Sequence, residues 1–354
     1  MTDVKIFADY IEENAVGQVK KIAESPAFED EVIRIMPDAH SGSGCVVGFT
    51  STFRHGRVIP AVVGVDIGCG VLAVETTMKA AEKTYKKLDK VIDSYIPTGI
   101  EHFDEPDEGI LAIAQDGLTF ELDPEAAVLA ARSLGTLGGG NHFIELDQHP
   151  DTKRLWLTVH TGSRNLGLQI AQHHQEIASE HDGFLDGGLA DEYLHDLAVA
   201  QQFAQDNRRA IVEAIRQHMG FNVLSEVESV HNYIDLERKV TRKGAIAAYE
   251  GQPVVVPLNM AAGIVLGTGL GIEDWNCSAP HGAGRMLSRS AAQAKISLDQ
   301  YRKDMKGVYS TCVGKKTLDE SPRAYKNAGS IKKQLAQTVG DAVVCKSVYN
   351  YKAS

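Results

Sequence analysis

The chain of 354 residues is 43% hydrophobic and 23% charged, a composition typical of globular proteins. No apolar run approaches the roughly 20 residues that a membrane helix needs, and the amino-terminal segment lacks the apolar region of a signal peptide. Five scattered cysteines are too few for a disulfide framework. We therefore expect a soluble cytoplasmic protein with no membrane partner.

The net charge is −11, from 36 Lys or Arg residues and 47 Asp or Glu residues, and by itself it argues against a nucleic-acid partner. The total conceals a division, because residues 285–354 contain 14 basic and 5 acidic residues and carry +9. The remainder of the chain therefore carries −20. This asymmetry favours one basic face, with a solvated basic helix as the alternative interpretation.

Two patterns in the first half of the chain predict secondary structure. Residues 58–65, VIPAVVGV, are short, apolar and rich in β-branched side chains, which predicts a buried strand. Asp123 and Pro124 are the residue types of a helix N-cap and a first helical position, and the apolar run behind them stops at Gly135. A helix is therefore predicted between Pro124 and Gly135.

In the second half, residues 155–159 (LWLTV) and 253–257 (PVVVP) predict two further buried strands. Residues 190–217 have a helix-forming composition, with apolar residues near helical spacing. No internal repeat, low-complexity tract or long linker interrupts the chain. The sequence predicts an α/β fold of the mixed α+β type, and we expect residues 1–354 to form a single elaborate domain.

The segment VDIGCG places Asp66 and Cys69 three residues apart in a Gly-lined turn, directly after the predicted strand 58–65. That spacing suits two ligands of one metal ion, although an inert buried thiol is the more common role of a single cysteine. Thiolate, carboxylate and imidazole ligands together point to Mn, Fe, Co or Zn, and spacing alone does not choose among them.

Three histidines are candidates for further metal ligands. His142 follows the Gly-rich loop GTLGGGN, and His160 ends the predicted strand 155–159 before TGSRNLG. Binding residues concentrate at such element ends, and two of them beside Gly-rich loops favour a ligand role. His231, in VHNYID, follows a polar segment of helical composition and is the weakest of the three on sequence alone.

The segment SAPHGAGR sets His281 between Pro280 and a Gly-rich turn, with Arg285 four residues further on. Small residues around a reactive imidazole let a phosphate approach, and a guanidinium supplies planar charge for it. The pattern favours a nucleophilic His281 assisted by Arg285, with a turn that carries an incidental histidine as the alternative.

Taken together, these motifs resemble the RtcB family of RNA ligases along nearly the whole chain from residue 36 onward. The matching segments, in chain order, are MPDAH, VIPAVVGVDIGCG, SLGTLGGGNHFIEL, VHTGSRNLG, QFAQDNRRAI, HN at 231–232, RKGA at 242–245 and HGAGRMLSR. The resemblance implies an RtcB-type domain with β-sheets surrounded by helices. It also implies two Mn²⁺ ions, held by Asp66, a bridging Cys69, His142, His160 and His231.

In this family the histidine of HGAGR attacks the α-phosphate of GTP and becomes guanylylated, which assigns that role to His281 and a supporting catalytic role to Arg285. The GMP then moves to an RNA 3′-phosphate, and a 5′-hydroxyl displaces it to seal the strand. A 2′,3′-cyclic phosphate is first opened to the 3′-phosphate. The resemblance thus implies a GTP-dependent RNA ligase that acts in RNA repair or tRNA splicing.

The resemblance also carries the family's guanosine contacts to this chain. They fall on Asn141, His142, Phe143, Ile144, Glu145, His231, Asn232, Pro257, Leu258, Asn259, Met260, His281, Gly282, Ala283, Gly284 and a carboxyl-terminal lysine. We place that lysine at Lys352 in YNYKAS, with Lys326 as the competing assignment, because the usual ending Pro-Leu-Gly-Val-Val-Lys-Gly is absent.

The sequence also departs from the family pattern. The usual segment PGSMG reads PLNMA at 257–261, so Leu258, Asn259 and Ile264 stand where small or hydroxyl residues normally line the nucleotide pocket. Nucleotide preference is therefore open, and we expect a divergent branch used in RNA repair. Two alternatives use the same scaffold: a metal-dependent RNA cyclic-phosphate hydrolase or phosphodiesterase, and a non-catalytic RNA-end binder. The need for a helper such as archease also stays open.

Overall fold

The computed structural model describes residues 2–352 and shows a mixed α/β fold in which β-sheets are surrounded by helices, as the sequence predicted. The strands are β1 (Asp3–Ile6), β2 (Val32–His40), β3 (Val47–Thr52), β4 (Gly70–Thr76), β5 (Phe143–Gln148), β6 (Leu155–Thr161), β7 (Val223–Val230), β8 (Asn232–Asp235), β9 (Val240–Lys243), β10 (Ala245–Ala247), β11 (Pro253–Asn259), β12 (Gly263–Gly269), β13 (Ser278–Pro280) and β14 (Val339–Lys352).

The α-helices are α1 (Glu13–Ala23), α2 (Pro60–Val63), α3 (Glu82–Tyr95), α4 (Glu108–Asp116), α5 (Pro124–Arg132), α6 (Arg164–Glu180), α7 (Gly187–Met219), α8 (Arg289–Lys295), α9 (Leu298–Asp304) and α10 (Ala328–Leu335). Short 3₁₀ helices span Pro26–Phe28, Glu273–Trp275, Lys315–Glu320 and Pro322–Ala324. None of the helices in the described part of the chain is long and apolar enough to cross a membrane.

A seven-stranded antiparallel sheet, in the order β11-β12-β14-β5-β6-β4-β7, forms the centre of the molecule. It curls until its two edge strands meet, where the amide of Val255 donates to the hydroxyl of Ser229 at 2.9 Å. The concave face holds a small apolar core of Val71, Ala73, Trp156, Val255, Ile264 and Cys345. On the convex face, α3 and α7 pack over the alternate side chains of the same strands, such as Leu72 and Val74.

A second, five-stranded sheet has the order β1-β2-β3-β9-β8, and β10 pairs with β13 in a separate two-stranded ribbon. The chain passes from the large sheet to the five-stranded sheet at His231, between β7 and β8. The ribbon ends at Pro280, directly before His281. Two of the predicted site histidines therefore lie where the sheets meet.

The structure confirms most of the predicted elements. The strands predicted at 155–159 and 253–257 are β6 and β11, and the helix predicted over 190–217 lies within α7. Helix α5 begins as expected, because the carboxylate of Asp123 accepts the amide N–H of Glu125 and of Ala126 and Pro124 fills the first helical position.

The strand predicted at 58–65 is wrong. Pro60 instead begins the helical turn α2, and Val58 forms only an isolated bridge with Leu185. The ring of Pro60 presets a helical φ, and a short run of buried apolar residues carries no period that separates strand from helix. A helical turn, rather than a strand, therefore delivers Asp66 and Cys69.

Candidate active site

Four neighbouring strands of the large sheet place four of the predicted ligands at the same end of the sheet, where these strands begin or finish. The order β5-β6-β4-β7 is antiparallel, so the chain enters β5 and β4 and leaves β6 and β7 at the same side. His142 precedes β5, Cys69 precedes β4, His160 lies near the end of β6, and His231 follows β7. His231 therefore follows an exposed polar edge strand, which corrects the helical interpretation of the segment before it.

The side chains of these residues and of Asp66 converge. The Sγ atom of Cys69 lies 3.3 Å from Nε2 of His160 and 3.7 Å from Nε2 of His142. Nε2 of His142 is 3.1 Å from Oδ2 of Asp66, and the Nε2 atoms of His160 and His231 are 3.4 Å apart. The five residues form two overlapping groups that could each hold a metal ion, and Cys69 belongs to both.

The donor set fits metal ions better than it fits a hydrogen-bond network. Nδ1 of His142 donates to the carbonyl oxygen of Leu137 at 2.8 Å, which fixes the ring with Nε2 at 3.1 Å from the carboxylate of Asp66. Nδ1 of His160 and of His231 are buried without a hydrogen-bond partner among the described residues. In each of the two groups the donor atoms lie within 4.8 Å of one another, and thiolate, carboxylate and imidazole are the ligand types that a divalent transition metal takes.

Burial sets the protonation of the cluster. It lowers the pKa of His160 and of His231 well below the ordinary value, and neighbouring histidines add to the effect. Burial, followed by the charge of Asp66, raises the pKa of the Cys69 thiol. Burial also opposes ionisation of Asp66, but contact with His142 outweighs it and holds the pKa of that carboxyl well below its usual range. His160 and His231 are thus neutral near pH 7, which is the form of imidazole that binds metal.

A buried arginine fixes the turn that carries two of these ligands. The guanidinium of Arg208 donates to the carbonyl oxygens of Gly68 and Thr161 at 2.8 and 2.9 Å, and it pairs with Glu228 at 2.7 Å. The amide of His231 donates to the carbonyl of Cys69 at 2.9 Å. Backbone contacts therefore lock the three strand ends together independently of any ion.

His281 lies beside this cluster, against a carboxylate from the other sheet. Oδ2 of Asp38, on β2, is 2.8 Å from Nδ1 of His281 and accepts the amides of His281 and Gly282, each at 3.2 Å. The ring centroid of His281 is 5.0 Å from that of His231. Gly284 has φ 69°, and a Cβ there would overlap the carbonyl oxygen of Asp38, so only glycine lets this loop lie on β2. The Asp38 carboxylate therefore faces Nδ1 of the ring rather than Nε2.

The cluster and His281 open into a cleft of about 1020 Å³, the size of a ligand-binding site. Most of the predicted site residues line it: Asp66, Cys69, Asn141, Phe143, Glu145, His160, His231, Asn232, Pro257, Leu258, Asn259, Met260, His281, Gly282, Ala283, Gly284, Arg285 and Lys352. His142 belongs to the cluster but does not line the cleft wall.

Three other residues do not reach the cleft. Ile144 is completely buried on the opposite face of β5, because side chains alternate along a strand. Ile264 is likewise buried, in the concave core of the large sheet, so the pocket wall is altered by Leu258 and Asn259 alone. The ammonium of Lys326 donates to the carbonyl oxygen of Pro37 at 2.8 Å, outside the cleft lining, so Lys326 does not compete with Lys352 for this site.

A buried carboxylate organises the cations on one wall. Oε2 of Glu320 is 2.8 Å from Nζ of Lys352, and Oε1 is 3.3 Å from the guanidinium of Arg285. Lys352 also donates to the carbonyl oxygen of Asn141 at 2.8 Å. Burial alone would raise the pKa of Glu320, but the charge of Lys352 outweighs it and brings the pKa to about 2. Glu320 therefore holds both cations at the cleft in its ionised form near pH 7.

The last strand supplies the opposite part of this wall. Asn350 pairs with Glu145 and Lys352 pairs with Phe143 in the β14–β5 ladder. The amide of Asn350 donates to Glu145 at 2.7 Å, and the ammonium of Lys352 is 5.2 Å from the centre of the Phe143 ring. Burial raises the pKa of Glu145 to about 7. The ladder register thus places Lys352 in the cleft, although its sequence context does not match the family ending.

Sequence reasoning missed Asp38, Lys243, Glu320 and Asn350, which all touch or line this cleft. Asp38 lies within MPDAH and Lys243 within RKGA, so the motifs contained a signal that was not assigned to a residue. Glu320 and Asn350 lie in segments without a recognised motif, and only the tertiary structure brings them to the site.

The fold and site define a mixed α/β protein with a candidate metal cluster at the base of one cleft and a carboxylate-bound histidine beside it. A family model described as tRNA-splicing ligase RtcB matches residues 18–129 and 119–353. The chain belongs to the RtcB family.

Individual relatives agree with this assignment. RNA-splicing ligase RtcB1 of Escherichia coli strain ATCC 25922 is 32% identical, over 91% of this chain and 90% of the relative. RNA-splicing ligase RtcB of Escherichia coli K12 is 31% identical over the same shares. The tRNA-splicing ligase RtcB of Aeropyrum pernix is 27% identical, over 86% of this chain and 84% of that protein. The similarity therefore extends over nearly the full length of both partners.

Proposed function

We propose that this protein is a Mn²⁺- and GTP-dependent RNA ligase that joins 3′-phosphate or 2′,3′-cyclic phosphate ends to 5′-hydroxyl ends. Membership of a family whose relatives are named RNA-splicing ligases supports the reaction class. The observation that carries the proposal is the pairing of His281 with Asp38 beside the five-residue cluster.

The cluster would hold two ions, and Cys69 belongs to the ligand group of each. Asp66, Cys69 and His142 form one group and Cys69, His160 and His231 the other. Divalent ions bound there would neutralise phosphate charge and polarise the reacting phosphorus. The protein's own contribution is the fixed orientation of the ligands, such as the Nδ1–H of His142 held by Leu137.

His281 acts as the nucleophile. A carboxylate 2.8 Å from Nδ1 favours a proton on that nitrogen, and we assign to the lone pair on Nε2 the attack on the α-phosphorus of GTP. A bond forms between Nε2 and phosphorus, the bond to the bridging oxygen breaks, and pyrophosphate leaves with its electron pair. Asp38 stabilises the positive charge that develops on the ring, as a buried carboxylate does behind other catalytic histidines.

The GMP group then passes to the RNA. An oxygen of the 3′-phosphate attacks the phosphorus on His281, the N–P bond breaks, and the imidazole recovers its lone pair. A 5′-hydroxyl next attacks the activated 3′-phosphate, loses its proton and displaces GMP. Arg285 lies at the cleft and is held there by Glu320, so we assign it the charge on the reacting phosphates. A cyclic phosphate requires one prior hydrolytic opening by water.

The nucleoside would lie on the wall formed by β5 and β14. Phe143 offers an aromatic face, while Glu145 accepts and Lys352 donates hydrogen bonds. Asn141, Asn232, residues 257–260 and residues 281–284 line the rest of the cleft. Leu258 and Asn259 stand in this lining where the family normally has small or hydroxyl residues. The preference for GTP over other nucleotides should therefore be measured first.

The test is a joining assay with one RNA that ends in a 3′-phosphate or 2′,3′-cyclic phosphate and another that begins with a 5′-hydroxyl. We expect a joined product with GTP and Mn²⁺, and none with Asp66→Ala. Opening of the cyclic end without GTP and without joining would replace the proposal by a cyclic-phosphate hydrolase. RNA binding without turnover of any end would replace it by an RNA-end binder. Repeated turnover without added archease would show that no helper is needed.

A further inference from the structure

A separate group of elements beside the cleft concentrates positive charge. We call residues 289–324 the basic lobe; it comprises α8, α9 and the 3₁₀ helices Lys315–Glu320 and Pro322–Ala324. The lobe contains eight Lys or Arg residues and four Asp or Glu residues, whereas the rest of the chain contains 28 and 43. It is therefore a basic region on an otherwise acidic protein.

The basic lobe is attached to the cleft wall at two places. Tyr301 of α9 packs against Met260, a cleft residue, in an apolar cluster, and the hydroxyl donates to the sulfur at 2.9 Å. Arg285, which lines the cleft and precedes the lobe, pairs with Glu320 of the lobe at 3.3 Å. The lobe therefore continues the wall that carries the reactive histidine.

Most of the acidic residues of the lobe are already neutralised. Asp319 and Glu320 are buried and bind arginines of the cleft wall, and Asp304 pairs with Arg323. In the described part of the chain, six exposed basic side chains of the lobe have no ion-pair partner: Lys295, Arg302, Lys303, Lys306, Lys315 and Lys316. Their charge is available to a polyanion.

Some of these cations lie close to the cleft opening. Lys295 is six residues after Arg289 on α8, or about 9 Å along the helix axis. Lys315 and Lys316 precede Asp319, the partner of Arg289, by four and three residues in the 3₁₀ segment Lys315–Glu320. The spacing along α8 is comparable to a Debye length of about 8 Å, so Lys295 and Arg289 act on one strand together.

We propose that the basic lobe binds the sugar-phosphate backbone of the RNA whose end occupies the cleft. This inference rests on the proposed function, since it places the substrate of the same site. The acidic remainder repels a polyanion, so the lobe both attracts the strand and orients it toward His281. A lipid surface is the poorer partner, because none of the exposed large hydrophobic residues lies within 289–324 and interfacial binding needs them.

The test measures RNA affinity as a function of salt for the full chain with Lys315→Gln and Lys316→Gln together. The probe is a fluorescent single-stranded RNA that ends in a 3′-phosphate, without GTP, followed by anisotropy. Each lost phosphate contact lowers the slope of log K against log salt by about 0.7, so we expect a slope smaller by about 1.4. The matched control changes Lys153 and Arg154 to Gln, because both are exposed in the β5–β6 turn at the other end of the sheet.

An unchanged slope in the lobe variant, or an equal loss in the control variant, would overturn the proposal. Binding of phosphatidylserine vesicles by the wild type with no salt-dependent RNA binding would also overturn it. GTP labelling of His281 should be the same in the lobe variant as in the wild type, which shows that the variant folds. Absence of that label in the wild type would contradict the proposed function. The salt dependence of RNA affinity would still test, on its own, whether the basic lobe binds RNA.

Discussion

At the scale of single residues, the site depends on the contact between Asp38 and His281. The two residues are 243 positions apart in the sequence, and the carboxylate also holds the loop through two backbone amides. A buried carboxylate at Nδ1 fixes the tautomer of an imidazole and leaves Nε2 with its lone pair. In the proposed mechanism Asp38 is therefore a positioning residue, and His281 is the nucleophile.

Asp38→Asn should slow guanylylation of His281 while leaving the metal cluster intact. An amide can donate to Nδ1, which moves the ring proton to Nε2 and removes the attacking lone pair; the equivalent change in a serine-protease triad costs about 10⁴-fold in rate. We expect a loss of at least about 10²-fold in single-turnover labelling. Bound metal, measured by elemental analysis, should equal that of the wild type. A lower metal content would assign Asp38 to the cluster instead.

At the scale of elements, antiparallel strand order assembles the candidate metal cluster. His142 and His160 were found from the sequence because Gly-rich loops and a clear strand mark their positions. His231 was weak because β7 is an exposed edge strand whose polar residues resemble a helix surface. The strand predicted over 58–65 failed because a short buried apolar run has no diagnostic period. The secondary structure of these two segments is decided by their contacts with parts of the chain that are distant in the sequence.

Gly162→Ala should disrupt the cluster by a steric route. A Cβ at Gly162 would overlap a carboxylate oxygen of Asp66 and lie 2.8 Å from its Cγ and 3.2 Å from Cα of Cys69. The φ of Gly162 is not positive, so alanine adds bulk without backbone strain. We expect metal affinity to fall by about 10- to 100-fold, measured by competition with a chelator. Gly17→Ala, with no atom within 4 Å of its Cβ, is the control and should bind metal normally.

At the scale of the whole molecule, charge is divided between an acidic body and a basic wall beside the cleft. The division was visible in the sequence, since residues 285–354 carry +9 and the rest carries −20. The sequence did not reveal that Glu320 forms buried ion pairs with Lys352 and Arg285, because these residues are far apart in the chain. The buried carboxylate of Glu320 thus joins the last strand, β14, to the loop that carries Arg285.

Glu320→Gln should destabilise the fold in a pH-dependent way. Its pKa is lowered from 4.5 to about 2, so the native state binds fewer protons than the unfolded chain between these values. The stabilisation is complete above pH 4.5 and is lost as the pH falls toward 2. Removing one partner of a buried pair costs about 3–5 kcal/mol, which we expect near pH 7 from urea unfolding.

The control for this experiment is Glu213→Gln. The hydrogen bonds of Glu213 with Arg216 and Gln217 also lower the pKa of its carboxyl, but Glu213 lies at the surface of α7, where solvent screens these contacts. Exposed pairs contribute little to stability, so the control should resemble the wild type at every pH. A difference between wild type and Glu320→Gln that stays constant from pH 7 to the acid range would contradict the assigned protonation of Glu320.

The central claim is that His281 forms a covalent bond to GMP, and intact-mass measurement tests it most directly. After incubation with GTP and Mn²⁺, we predict a mass increase of one GMP group that is lost in acid, maps to His281 and is absent in His281→Ala. No adduct with any divalent metal, or an adduct that persists in His281→Ala, would contradict the account.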